Sequence, residues 1–238
     1  MSQYYYNPFG NSGANEEYQR AILRKQQENS EKKEIRLISL TMGAAIIAYL
    51  LFQNIAVAVL YAFDLFDKYN SNAVFQNAFT IIGVSFFSVL VPFGIMALVN
   101  KKRYSHPIIP SNSIRPFKCL VWVCFGMLCC VGANFAVSYL ITFSELLFDI
   151  EFTQGELLDP DSPLACVMCV ISTAIIPAIC EEFAMRCCSL QLLRKYGKSF
   201  AVFAVSIVFG LLHGNVIQFI FEFVVGLVLG FVTVKTDS

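Results

Sequence analysis

"LACVMCVISTAIIPAICEEFAMR", residues 164–186, decides how the whole chain is read. Leu164 to Ile179 carries no charge, and then Glu181, Glu182 and Arg186 arrive within six positions. An uncharged run of this length, about 18 or more residues with its flanks, is what a helix needs to cross a bilayer core of about 30 Å. A soluble helix that long would still show a polar face. The rest of the chain repeats the pattern. No charge occurs over Leu37–Phe63, Tyr69–Asn100, Cys119–Ser144, Ser162–Cys180 or Ser199–Phe221. Of the 238 residues 57% are hydrophobic and only 14% charged, against about 25% charged in soluble domains. The fold class is therefore all-α, a polytopic transmembrane helix bundle whose partner is the lipid bilayer.

Six spans are expected, at 37–63, 74–99, 118–144, 163–190, 199–213 and 216–234. Residues 1–36 read as a polar and charged tail. Its turn-rich "YNPFGNSG" precedes the helix-prone "NEEYQRAILRKQQENSEKKEIR", and no short apolar signal region opens it. Residues 37–162 form the N-terminal helices and loops, and 163–238 the C-terminal core. Lys and Arg set the orientation. Arg20, Arg24, Lys25, Lys32, Lys33 and Arg36 precede the first span, and Lys101, Lys102, Arg103 and Arg115 fill the 100–117 loop. The 145–162 loop has neither Lys nor Arg but carries Glu145, Asp149, Glu151, Glu156, Asp159 and Asp161; Arg194, Lys195 and Lys198 then close the fourth helix. The expected location is the cell membrane, multi-pass, with the N-terminus and the basic loops cytoplasmic. The formal net charge of zero argues against a nucleic-acid partner.

Nine cysteines lie in or beside apolar helices and read as packing residues. Cys166 and Cys169 make one C-x-x-C, which without a second pair is weak evidence for zinc. Gly210/Gly214 and Gly226/Gly230 are spaced for close helix approach. Pro177 is placed to kink the fourth helix.

Depth brings the ionisable residues together. At 1.5 Å per residue Glu182 lies about 18 Å from Arg194, and His213 lies about 22 Å from Lys198 on the next helix. The turn "KYGKS" is short, so the two helices are antiparallel and both groups sit well inside the hydrocarbon. A charge at helix centre costs on the order of 2.5–3.5 kcal/mol and usually marks function. Glu182 and Arg186, at i and i+4, neutralise each other. That leaves Glu181 and His213 unexplained, with Asn215 and Glu222 as further polar candidates.

"EEFAMR" fits an E-E-x-x-x-R signature and "FGLLH", Phe209 to His213, fits the F-x-x-x-H signature that follows it. Together they resemble the CAAX protease and bacteriocin-processing family of intramembrane glutamate proteases, over about residues 163–238. "FVVGLVLGFVTVKT" is also similar to that family's next helix. The resemblance implies peptide-bond hydrolysis by a water that Glu181 and His213 hold and activate, with Glu182 and Arg186 as the supporting pair. It implies a peptide or protein substrate of CAAX type, bacteriocin-like or otherwise hydrophobic, lipidated or not. The family's third motif, a later His with an Asn, has no counterpart after His213, and the expectation is a sequence cut short before the family's last helix. No cofactor is expected; zinc is the alternative, disfavoured because adjacent helical glutamates point about 100° apart. Two other functions stay open: a non-catalytic immunity or scaffold protein, and a proton-coupled transporter using the same groups.

Overall fold

The computed structural model describes residues 12–149, 159–160 and 162–238. Among these no strand occurs, and the helices are α1 (Ser12–Ala62), α2 (Ala73–Val99), α3 (Pro116–Phe148), α4 (Pro163–Tyr196), α5 (Lys198–Leu212) and α6 (Val216–Thr236). A short helix, Phe66–Ser71, joins α1 to α2. Glu151, Glu156 and Asp161 of the acidic loop, and the tail's opening residues, lie outside the described residues. The chain divides into two compact units, 1–41 and 42–238. In the first, the helix continues through the charged segment with most side chains exposed. The second holds the bundle.

The expected six spans resolve into five helices long enough to cross a bilayer and one that is not. The exception is α5, at 15 residues, or about 22 Å. The predicted 199–213 segment is apolar throughout, so composition could not reveal that its helix stops at 15 residues. Its stop is local. Gly214 adopts φ +66° with no atom within 4 Å of where a side chain would begin, so it serves the left-handed turn that ends a helix. The spacing with Gly210 suggested packing; at Gly214 the backbone conformation is the reason for glycine. Gly226 and Gly230 do pack. A methyl on Gly226 would stand 3.0 Å from the Cα of Ser206, and one on Gly230 3.0 Å from Val202. These contacts hold α6 antiparallel against α5.

The core gathers one face of each of four helices: Met42, Ala45 and Tyr49 of α1, Phe93 and Met96 of α2, Cys180, Met185 and Cys188 of α4, and Ala201, Val205 and Phe209 of α5. Phe93 and Ala201 are fully enclosed. α3 packs along α6, with Trp122 against Phe231. The large exposed side chains of α3, such as Phe135, Tyr139 and Leu146, form the apolar surface a lipid-facing helix presents. The cysteines divide: Cys180 and Cys188 pack in the core, while Cys119, Cys124 and Cys166 are exposed. Packing therefore explains only part of the set.

Two helices that pack against each other widen into π-turns. Thr80–Leu90 of α2 and Ile171–Ile175 and Phe183–Leu190 of α4 are π-helical. Pro177 lies two residues past the end of the first α4 stretch, and a proline's missing N–H disrupts the local ladder. Side chains reach back five residues to the displaced carbonyls: Ser88 Oγ donates to Gly83 O, and Ser189 Oγ to Ala184 O, at 2.9 and 2.8 Å. At the basic end, the 100–117 loop, the α4–α5 turn and the end of α6 meet on one face. Lys195 donates to Arg103 O at 3.0 Å, Asn112 N–H to Asp237 O at 3.2 Å, and Arg194 pairs with the Asp237 carboxylate.

Candidate active site

A helix that ends inside a membrane leaves four carbonyls without helical donors, and no lipid can serve them. α5 satisfies all of its last four. Phe209 O faces His213 Nδ1 at 2.9 Å. Gly210 O accepts from the His213 N–H and Leu211 O from the Gly214 N–H, both at 3.2 Å. Leu212 O accepts from the Tyr49 hydroxyl at 2.8 Å, which in turn accepts from Gln53 Nε2 at 2.7 Å. A carbonyl can only accept, so Nδ1 of His213 carries the proton and Nε2 is the free nitrogen.

α4 supplies the carboxylates. Glu181 and His213 line one cavity of about 300 Å³, together with Tyr49, Gln53, Ser85 and Gly214. This is the meeting expected from depth alone. Glu182, one position on, does not line it, and its side chain is 43% exposed. Its Oε1 lies 3.2 Å from Nη1 of Arg186, whose own side chain is buried. The contact has ion-pair reach without hydrogen-bond alignment, and none of the three guanidinium nitrogens has a well-formed hydrogen-bond partner. What covers the guanidinium is the Phe209 ring, with its centroid 4.7 Å from Cζ, a cation–π contact worth on the order of 2 kcal/mol when desolvated. Phe209 thus supports both sides of the site: its ring carries Arg186 and its carbonyl fixes the His213 ring, which stands edge-on to it.

Glu222 joins this cluster from α6, with Oε1 3.8 Å from His213 Nε2. Asn215 does not line the Glu181 cavity; its carbonyl accepts the Phe219 N–H at 2.7 Å and so starts α6. It borders a neighbouring cavity of about 330 Å³ with Gly210 and Gly214. Tyr49 and Gln53 were not singled out from the sequence. Their signal was present, two hydrogen-bonding side chains one turn apart in an uncharged span. Among the described residues no three His, Cys, Asp or Glu side chains are grouped to hold a metal ion.

Fold and site together define a polytopic helical membrane protein with a cluster of ionisable side chains around a cavity in its bundle. Residues 163–238, about a third of the chain, match the family described as type II CAAX prenyl endopeptidase Rce1-like. The resemblance read from the E-E-x-x-x-R and F-x-x-x-H motifs is borne out over that segment. No curated protein and no solved structure matches the chain.

Proposed function

We propose that this protein is an intramembrane endopeptidase that cleaves a hydrophobic, prenylated or CAAX-like peptide with a water activated by Glu181 and His213. The observation that carries this reading is the shared cavity of Glu181 and His213, the two residues that the matching family's motifs assign to the water. Glu181 takes a proton from the water, and the hydroxide attacks the carbonyl carbon. The proton passes from Glu181 to Nε2, the open histidine nitrogen, and from there to the leaving nitrogen as the C–N bond breaks. Glu181 is then a carboxylate again and His213 a neutral ring, so the enzyme is restored. Glu182 and Arg186 keep the wall of the site neutral without touching the water.

No metal takes part in this scheme, since Glu182 does not join Glu181 and His213 in the cavity. The basic face, holding the 100–117 loop and the α4–α5 turn, is cytoplasmic. The test uses the full chain in phosphatidylcholine nanodiscs with a fluorogenic peptide ending in a farnesylated Cys-aliphatic-aliphatic-X sequence. Cleavage that survives exhaustive chelation and is lost in Glu181→Gln supports the reading. Cleavage restored only by added zinc, or undiminished in Glu181→Gln, overturns it.

A further inference from the structure

Glu222 is a carboxylate two turns into an apolar helix, where an ionisable group costs several kcal/mol unless it has a partner. Its partner is identifiable. With Nδ1 committed to the Phe209 carbonyl at 2.9 Å, the only nitrogen of His213 left to exchange a proton is Nε2, and Glu222 Oε1 lies 3.8 Å from that atom. Both side chains are about one-fifth exposed, 22% for His213 and 20% for Glu222, so the contact is neither sealed nor washed by bulk solvent. A gap of 3.8 Å is longer than a hydrogen bond, but contacts of this kind tighten when substrate excludes water. The charge balance points the same way. Glu181, Glu182 and Glu222 lie within electrostatic reach of one permanent cation, Arg186, whose nearest carboxylate is Glu182. A positive charge appearing on the His213 ring therefore finds Glu222 beside it, on the opposite helix from the Glu181 carboxylate.

We propose that Glu222 is a positioning residue for His213, steering the ring so that Nε2 reaches the cavity and stabilising the charge the ring acquires when Nε2 takes up a proton. The role rests on the endopeptidase reading above for its consequence in catalysis, but the pairing itself does not. It has the logic of an oriented base in hydrolytic sites, where one ring nitrogen is fixed by a partner and an acid group offsets the imidazolium. Here the fixing partner is a main-chain carbonyl at the end of a half-length helix, and the offsetting carboxylate comes from the helix that follows.

Two readouts on the full chain in phosphatidylcholine nanodiscs test this. The first is kinetic, with the farnesylated peptide above. Glu222→Gln, which keeps the shape, should lower kcat roughly 10- to 100-fold, less than the 10²–10⁴ scale of losing an acid–base group outright because Nε2 itself remains, with KM within about twofold. Such a split marks an interaction made in the transition state. Glu222→Asp should recover part of the loss. The second is spectroscopic. The chain has 2 histidines, so ¹⁵N-histidine labelling reads His213 with His106 as internal reference. Glu222→Gln should move the His213 ring resonances and leave those of His106 in place. Unmoved His213 resonances, or an unchanged kcat, would overturn the proposal. If the parent protein does not cleave the peptide, or Glu181→Gln cleaves it equally well, the endopeptidase reading fails, and the histidine resonances alone still decide the pairing.

Discussion

The Phe209 carbonyl and the His213 ring, four residues apart, lie 2.9 Å from each other at Nδ1, and this one bond both ends a helix and sets the tautomer of the histidine. The two roles are separable by substitution. In His213→Asn the side-chain amide can still donate to the Phe209 carbonyl, but nothing replaces Nε2. In His213→Ala the carbonyl is orphaned as well. Both variants should lose cleavage. Only the alanine should lose stability, by about 1–3 kcal/mol, the range for a buried unpaired polar group. Thermal unfolding in detergent, compared between the two, checks this; equal destabilisation would mean that the ring does not cap α5.

Glu181→Gln should reduce cleavage by a factor on the order of 10²–10⁴, the scale of general-base loss, with little change in protein abundance. The amide fits the same cavity and removes a charge from the bilayer interior. A full-length Glu181→Gln protein that falls in abundance as steeply as in activity would reassign Glu181 to the scaffold.

Arg186→Ala should behave in the opposite way. It strips the cation from Glu182 and the cover from one face of Phe209, which lies 4.7 Å from the guanidinium. A carboxylate left without its cation at membrane depth costs about 2.5–3.5 kcal/mol. Membrane abundance should therefore drop together with activity. Adding Glu182→Gln should restore much of the abundance, because it removes the stranded charge. Immunoblots of membrane fractions from the single and double variants provide the comparison.

Asp237 carries the pH dependence that is visible outside the membrane. The hydrogen bond from Arg194 holds its carboxyl below the usual aspartate range. A depressed carboxyl contributes stability above its unfolded value, about 3.9, and loses it as pH falls through the folded one. The latch between α6 and the α4–α5 turn should thus be constant through neutral pH and fail only below about pH 4. Because the carboxylate side chain is 43% exposed, solvent screening keeps the effect to at most about 1 kcal/mol. Asp237→Asn should unfold slightly earlier than the parent at pH 7, by a margin that narrows as pH falls below about 4. A difference that does not narrow with falling pH would place its cause elsewhere.

Gly226→Val tests the α5–α6 approach. Its Cβ would stand 3.0 Å from the main chain of Ser206, and overpacking of this kind typically costs about 1–3 kcal/mol. Because α6 carries Glu222, activity should fall with stability. A fully stable and active variant would show that the two helices can separate without consequence.

Charge gaps made the helical class legible, since a side chain's cost in lipid is paid residue by residue and shows directly in the sequence. The convergence of Glu181 with His213 was legible for the same reason: both positions follow from rise per residue along two neighbouring helices. What stayed hidden depended on contacts between distant segments. Tyr49 caps the carbonyl of Leu212 across 163 residues, and no local pattern announces such a bond. The π-turns have no sequence signature either, although the serines that bond back five residues mark them afterwards. Glu222 was noticed as a charge in an apolar span, yet its neighbour could not be named. That required knowing that the chain reverses at Gly214 instead of crossing.

The early reversal of α5 also ties the chemistry to the lipid. A 15-residue helix reaches about 22 Å, some 8 Å short of a hydrocarbon layer of about 30 Å. Where a span is too short, the bilayer thins locally to meet it, at a fraction of a kcal/mol for each ångström of mismatch. Thinning at the end of α5 would bring water nearer His213. On the endopeptidase reading, cleavage should therefore run faster in short-chain lipids and slower in thick, sterol-rich membranes.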